Sequence, residues 1–207
     1  SIFFISDEPG KNTGNQGLAG GGIITDSLIS LIQNAKSSIY IQSPYLITTD
    51  LGQSLFQKTI DRGVSVNILT NSLSSTDNLE AFSGYKRDRE RLLKTGIKIF
   101  EFRPDAAVRY EVMTGALQTE INYSPIFGLH AKSMVIDQRI AIIGTFNLDP
   151  RSANLNTECM AVIYNGDIAT RLQQAMQIDM LSENAWQTTL TFNPDSEAGW
   201  TKRFKVW

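Results

Sequence analysis

The single histidine of this sequence lies among residue types that suit phosphate chemistry. His130 and Lys132 are two residues apart, and in an extended segment such a pair projects to the same side. After a run of apolar residues, Gly144-Thr145-Phe146-Asn147 follows where a hairpin would return the chain beside His130. An ammonium, a hydroxyl and an amide can bind the oxygens of a tetrahedral phosphorus centre, which an imidazole nitrogen can attack. These residues therefore predict a site that binds and attacks phosphorus.

A lone histidine is more often a satisfied core or surface residue, but the spacing here argues otherwise. The pattern is His-x-Lys, four residues, Asp137, six residues, then Gly-Thr-x-Asn. Background frequencies give on the order of one chance match in 10⁵ chains of this size. The pattern resembles the HKD signature of the phospholipase D superfamily. Three segments are similar to its bacterial cardiolipin-synthase-like branch: Ser43-Pro44-Tyr45-Leu46, Leu69-Thr70-Asn71-Ser72-Leu73, and the stretch from 144 to 158. The resemblance as a whole covers roughly residues 37 to 163.

The resemblance implies a role for each residue of the candidate site. His130 would be the nucleophile or its acid/base partner, while Lys132, Thr145 and Asn147 would bind phosphate. Glu158 stands where the family has a carboxylate that accepts from the imidazole Nδ1–H; the alternative is a solvated carboxylate at a strand end. The last candidate, Asp137, is either a catalytic group or an aspartate that stabilises the turn between two strands. Neither a cofactor nor a metal is expected, because a lone histidine without a cysteine or carboxylate cluster makes a poor metal site.

The mechanism implied by the resemblance needs two histidines, and this sequence has one. A second HKD half-site must come from an upstream domain or from a second copy of the chain. We favour the C-terminal half of a two-motif enzyme. The sequence starts without Met, and the glycine-rich stretch near its start is typical of a linker between two halves. The domain expectation is a linker-like segment over 1–22 and one phospholipase D-like domain over 23–207.

The resemblance implies a phospholipid substrate such as phosphatidylglycerol. Its phosphatidyl group would be transferred to an alcohol, or to water, at a membrane surface. The expected location is peripheral to a bacterial inner membrane, or cytoplasmic. A metal-independent nuclease working as a homodimer, and a noncatalytic half-domain that binds lipid or a partner, stay open. The 207 residues carry a net charge of −2, which disfavours nucleic acid. The mixed run from Lys86 to Arg91 is either a basic phosphate-binding face or a salt-bridged helix face.

The elements that must position these residues alternate along the chain. Helical periodicity covers 24–35, 50–62, 77–95 and 167–176, and strand patterns cover 39–41, 64–68, 97–102, 129–136, 140–143 and 158–164. Helices and strands in alternation predict an α/β fold with a mixed, largely parallel sheet flanked by helices. By resemblance this is a phospholipase D-like half-domain.

Overall fold

The computed structural model describes residues 1–11, 21–108 and 128–206. The strands are β1 (Ile2–Ser6), β2 (Ser38–Gln42), β3 (Ser65–Asn71), β4 (Lys98–Phe102), β5 (Ser133–Ile136), β6 (Ile140–Gly144), β7 (Cys159–Tyr164) and β8 (Ala185–Thr188). The helices are α1 (Ile23–Asn34), α2 (Asp50–Asp61), α3 (Leu79–Lys94), α4 (Pro150–Asn154), α5 (Gly166–Asp179) and α6 (Trp200–Lys205), with a 3₁₀ turn at Pro194–Glu197. None of these helices is long and apolar enough to span a bilayer.

All eight strands form one sheet in the order β1-β7-β6-β5-β2-β3-β4-β8. The α/β class and the mixed, helix-flanked sheet are confirmed. The parallel part is smaller than predicted, because only β2, β3 and β4 run parallel and the other neighbouring pairs are antiparallel. The reason lies in the connections: β5 and β6 are joined by a tight turn, which antiparallel strands allow, whereas parallel strands need a crossover helix.

Helices cover both faces of the sheet. On one face, α1, α2 and α3 bury apolar residues such as Leu28, Phe56 and Phe82 in the main core cluster. On the other face, α5 packs Ala169 and Met176 in a smaller cluster with buried residues of β5 and β6. The period of about 3.6 residues in each helix therefore corresponds to a buried face, as the sequence predicts.

The helix starts differ by a few residues from the predicted caps. Thr49 caps α2 and Asn78 caps α3, and each side chain accepts a backbone N–H of the first turn. Asn165 does the same for α5, whose predicted range began at residue 167. Threonine and asparagine are good N-caps, so neighbouring residues of similar capping strength compete and tertiary packing selects one of them.

Both edge strands of the sheet come from segments that the sequence did not predict as strands. Residues 2–6, predicted as part of a linker-like segment, form the edge strand β1 and pair with all but the last residue of β7. The glycine-rich residues 12–20 lie outside the described residues, as does most of the predicted 103–128 connection. At the far edge, β8 pairs with β4; its short, weakly patterned sequence left no periodic signal.

Candidate phosphodiester site

The candidate site lies where the carboxyl ends of β2 and β3 meet the start of β5. Asn71, the last residue of β3, accepts the Leu129 N–H at 2.8 Å and donates to the Leu129 carbonyl at 2.9 Å. The same amide also donates to the Pro44 carbonyl at 3.3 Å. Residues 129–132 are extended but lie outside the strand, which begins at Ser133 rather than at the predicted Leu129. Asn71 thus replaces the missing ladder bonds and fixes the backbone immediately before His130.

His130 and Lys132 are in direct contact. The Lys132 ammonium donates to His130 Nε2 at 3.0 Å. Because an ammonium can only donate, Nε2 must carry a free lone pair, and the ring proton must lie on Nδ1. This is the tautomer that a nucleophilic Nε2 requires. The His130 side chain is exposed, whereas Lys132 is half-buried.

Three carboxylates surround the Lys132 ammonium. Partial burial lowers the Lys132 pKa, against the opposing attraction of Glu158, Asp149 and Asp77. Burial, helped by repulsion from Glu158, raises the pKa of Asp149 above its ordinary value. The Lys132 ammonium therefore offsets these carboxylates and offers a positive charge to an anionic phosphate.

Thr145 and Glu158 form a second pair beside the first. The Thr145 hydroxyl donates to the Glu158 carboxylate in a short hydrogen bond, and it accepts the Cys159 N–H at 3.0 Å. Glu158 is only 5% exposed, so it is not a solvated strand-end carboxylate. Among the described contacts, this carboxylate binds Thr145 and not the imidazole of its own chain. The expected Glu158–His130 bond is therefore not formed within this chain.

A buried aspartate that the sequence did not single out holds Glu158 in place. Asp7 is 4% exposed and exchanges two hydrogen bonds with the Glu158 backbone, at 2.9 and 3.1 Å. Its carboxylate also accepts the Ile24 N–H at the start of α1 and an ion pair from Lys11 at 2.8 Å. Burial raises the Asp7 pKa, but the hydrogen bonds and Lys11 outweigh it, so the net shift is downward. One ionised carboxylate thus ties β7 and α1 together behind the site.

The loop after β6 carries Asn147 beside these pairs. A side chain at Gly144 is excluded, because its Cβ would lie 2.3 Å from the Cys159 carbonyl oxygen. This close approach turns the chain into the loop, where the Asn147 N–H donates to Ser152 Oγ at 3.1 Å. The Asn147 Oδ1 is buried without a hydrogen-bond partner. Among the described contacts, the Asn147 side chain bonds neither to His130 nor to Lys132.

Asp137 lies at the opposite end of β5 from Lys132. Four strand residues separate them, about 15 Å of extended chain. Its carboxylate accepts the backbone N–H groups of Lys36, Ser37 and Ser38 at 2.9, 2.7 and 3.0 Å. The structure therefore places Asp137 away from His130 and Lys132, and its hydrogen bonds within the fold favour the turn-stabilising alternative over a catalytic role.

Replacing Asp137 by Ala should reduce stability without changing the chemistry. Burial raises the Asp137 pKa, but the bonds from Ser38, Ser37 and Lys36 outweigh it, so the net shift is below 3.8. A carboxylate whose pKa is lower in the folded than in the unfolded state stabilises the fold at a pH above its unfolded-state pKa. That contribution is lost as the pH falls through its folded-state pKa. We expect Asp137→Ala to lower the free energy of unfolding, measured in urea, by about 1–3 kcal/mol at neutral pH. The loss should be smaller in acid. A large fall in turnover per folded molecule would contradict the structural role.

A polar cavity of about 310 Å³ opens beside His130 and includes a residue that the motif does not contain. Lys202 of α6 lines it and donates to the carbonyls of Ser74 and Thr76, each at 2.9 Å. Asp77 lies on the same wall. These bonds dock α6 against the site. Within the described part of the chain, no three His, Cys, Asp or Glu side chains form a metal-binding group.

The fold and this site match one family over most of the chain. The family model for the phospholipase D-like domain of cardiolipin synthase matches residues 28–180. The chain therefore belongs to the phospholipase D superfamily, in its cardiolipin-synthase-type domain family.

Cardiolipin synthase C of Escherichia coli K12 is 31% identical over 186 residues, which cover 90% of this chain and 38% of that protein. A cardiolipin synthase of Staphylococcus aureus Mu50 is 34% identical over 152 residues, or 73% of this chain and 26% of that protein. The chain thus spans well under half the length of these relatives. In structure it is similar to Nuc, a phospholipase D family member of Salmonella typhimurium, with a TM-score of 0.60 at 17% identity, covering 91% and 98% of the two chains. At this identity the likeness concerns the fold.

Proposed function

We propose that this chain is one catalytic half of an enzyme that transfers or hydrolyses the phosphatidyl group of a phospholipid through a phosphohistidine. The observation that carries the proposal is the Lys132 Nζ to His130 Nε2 contact at 3.0 Å. It holds an unprotonated imidazole nitrogen next to a cation. A phosphodiester oxygen could take the place of His130 Nε2 as the acceptor for the Lys132 ammonium. The phosphorus atom would then lie within reach of Nε2.

Two chemical steps follow from this arrangement. In the first, the Nε2 lone pair attacks phosphorus, a nitrogen–phosphorus bond forms, and the leaving alcohol takes its oxygen and a proton from an acid on the other half-site. In the second, that group removes a proton from an alcohol or water, whose oxygen attacks phosphorus and releases the histidine. Lys132 would bind a phosphate oxygen throughout. The roles can be exchanged between the two histidines, so His130 is either the nucleophile or the acid.

The exposure of His130 supports a site completed by another surface. A solvent-exposed imidazole gives water free access to an intermediate, and this chain has no second histidine. The second half-site would come from an upstream domain of a longer polypeptide or from another copy of this chain. The fact that relatives are longer than this chain favours the upstream domain. An assembly at a membrane surface, peripheral to a bacterial inner membrane, would place the site at its substrate.

Ion pairing on α3 weighs against nucleic acid as the substrate. Asp88 is buried and binds Arg87 and Arg91, and Arg89 is buried against Glu101. The run from Lys86 to Arg91 is therefore largely salt-bridged rather than a free basic face, which backbone-tracking proteins need. The cardiolipin synthases among the relatives favour a phospholipid, with phosphatidylglycerol as the first candidate.

Alcohol-dependent headgroup exchange tests the proposal. The polypeptide containing this chain, in the assembly that light scattering identifies, is mixed with phosphatidylglycerol vesicles and glycerol in EDTA. We expect exchange or release of the headgroup that survives chelation. Cleavage of single-stranded DNA without lipid turnover would instead support the nuclease alternative. Vesicle binding unaffected by His130→Ala, without turnover of any diester, would support a noncatalytic half-domain.

A further inference from the structure

An apolar groove lies between α1 and α2, and no motif of the sequence predicted it. It has a volume of about 560 Å³ and is lined mainly by aliphatic and aromatic side chains. Those that matter here are Leu28, Ile29, Leu55, Phe56, Met134 and Phe146. A cavity of this size and lining is typical of sites for apolar small molecules. Water gains little there, because few groups can bond to it.

The groove lies next to the candidate phosphate site and shares a wall with it. Leu28, Met134, Phe146 and Leu148 line both the groove and a narrow cleft whose other walls include Lys132 and Gly144. Phe146 and Leu148 flank Asn147 directly in sequence. A ligand with its phosphate at Lys132 therefore needs to cross only the width of one side chain to enter the groove.

The shape of the groove favours a chain over a ring or a peptide. Its α1 wall runs from Thr25 to Ile32, about 10 Å along the helix axis. The charged groups on its lining are the carboxylates Asp26 and Asp149, which would repel further phosphates. A nucleic acid strand would bring a charged phosphate at every residue, whereas an acyl chain brings none.

We propose that this groove binds an acyl chain of the phospholipid whose phosphate lies at Lys132. The inference rests on the proposed function and extends it, because it assigns the lipid selectivity of the site to α1 and α2. One chain would leave the bilayer and lie between the two helices, while the headgroup faces His130. Each buried methylene then strengthens binding up to about fourfold.

Two substitutions would block the groove while leaving Lys132 and His130 in place. Gly52 lies in the first turn of α2, where an added Cβ would meet only ordinary contacts, the nearest at 3.6 Å. Gly52→Leu therefore fills the groove and improves helix propensity. Leu55→Gln makes its wall polar. Gly166→Leu, at the first turn of α5 with the same 3.6 Å clearance, and Leu172→Gln are matched controls on the other face of the sheet.

The test compares binding of three probes by calorimetry to the polypeptide containing this chain, in the assembly that light scattering identifies. The probes are glycerophosphoglycerol without chains, and dihexanoyl- and dioctanoyl-phosphatidylglycerol below their aggregation concentrations. We expect affinity to rise with chain length in the wild type and both controls. In Gly52→Leu and in Leu55→Gln, the gain in affinity from the chain-free to the dioctanoyl probe should be at least tenfold smaller. The affinity for the chain-free probe should not change.

Three results would overturn the inference. The first is a chain-length dependence that both groove variants retain, and the second is an absence of lipid binding. The third is a dimer that the groove variants dissociate without altering lipid affinity, because the groove would then bind a second copy. The proposed function is judged separately by Lys132→Met, with exposed Lys98→Met as its control. If Lys132→Met leaves the affinity for the chain-free probe unchanged, the phosphate assignment fails even where the groove result stands.

Discussion

Replacing His130 by Asn is expected to lower phosphodiester turnover by about 10³-fold or more. Asparagine keeps a polar side chain of similar reach but has no lone pair on nitrogen able to form a phosphoramidate or to carry a proton. Because His130 is exposed and its imidazole bonds only to Lys132 among the described contacts, the substitution should leave stability within about 0.5 kcal/mol. The loss of turnover is therefore chemical and not a loss of fold.

Single-turnover quenching with a phosphatidyl p-nitrophenol ester, radiolabelled at phosphorus and carrying a leaving group that needs no acid, distinguishes the two roles of His130. If His130 is the nucleophile, no covalent phosphoenzyme forms in the variant. If it is the acid/base group, the phosphoenzyme forms on the other half-site and persists, because no group deprotonates the acceptor alcohol. Turnover within tenfold of the wild type would show that His130 takes neither role.

Removing Arg89 is expected to destabilise the fold by about 3–5 kcal/mol. Arg89 donates to Glu101 at 3.1 Å and forms a two-pronged pair with Asp195 at 2.8 and 2.7 Å. Glu101 is fully buried on β4 and also accepts from Tyr85 and Thr188. Arg89→Met would leave the Glu101 carboxylate buried without a cation, and it would release the 3₁₀ turn that precedes α6.

The pH dependence of that loss identifies its cause. Burial raises the Glu101 pKa above 4.5 although Arg89 opposes the shift. A carboxylate whose pKa is raised in the folded state contributes stability that is fully present at a pH below its unfolded-state pKa. That stability is lost as the pH rises through its folded-state pKa. Without Arg89 the folded pKa rises further, so the destabilisation of Arg89→Met should be larger near neutral pH than below pH 4.5.

Urea unfolding at the two pH values measures the effect, and an exposed ion pair of the same helix supplies the control. The Lys94 ammonium lies 2.6 Å from the Glu90 carboxylate, and the two side chains are 63% and 73% exposed. Exposed pairs contribute little, so Lys94→Met should leave stability almost unchanged at either pH. Equal losses in the two variants would contradict a buried network as the source of stability.

The helices and inner strands were predictable because each has a single strong period. Leu28 and Ile32 recur at helical spacing and bury one face of α1, and β3 alternates at Val66 and Ile68. The edge strands β1 and β8 escaped prediction, although they are as long as several inner strands. Their pairing is decided by partners more than 80 residues away in sequence, which no local pattern reports.

The residues at the candidate site divide in the same way. Spacing and resemblance pointed to His130 and Lys132, because they are close in sequence and are in direct contact in the fold. Asp7 and Lys202 were not singled out, and Asn71 was noted only within a flanking segment without a role, since each contacts the site from a distant part of the chain and is an ordinary polar residue in its local setting. Asp137 matched the motif as well as His130 did, yet it lies at the wrong end of β5.

By itself, the sequence determined the α/β class, the order of the main elements and the pairing of a histidine with a lysine, because periodicity and short spacings are local properties. Only the tertiary structure decided which polar residues meet. It brought Glu158 to Thr145 rather than to His130, placed Asp137 in a distant turn, and opened an apolar groove beside Lys132. Long-range packing selects these contacts, since burial and hydrogen bonding depend on residues that the chain brings together from far apart.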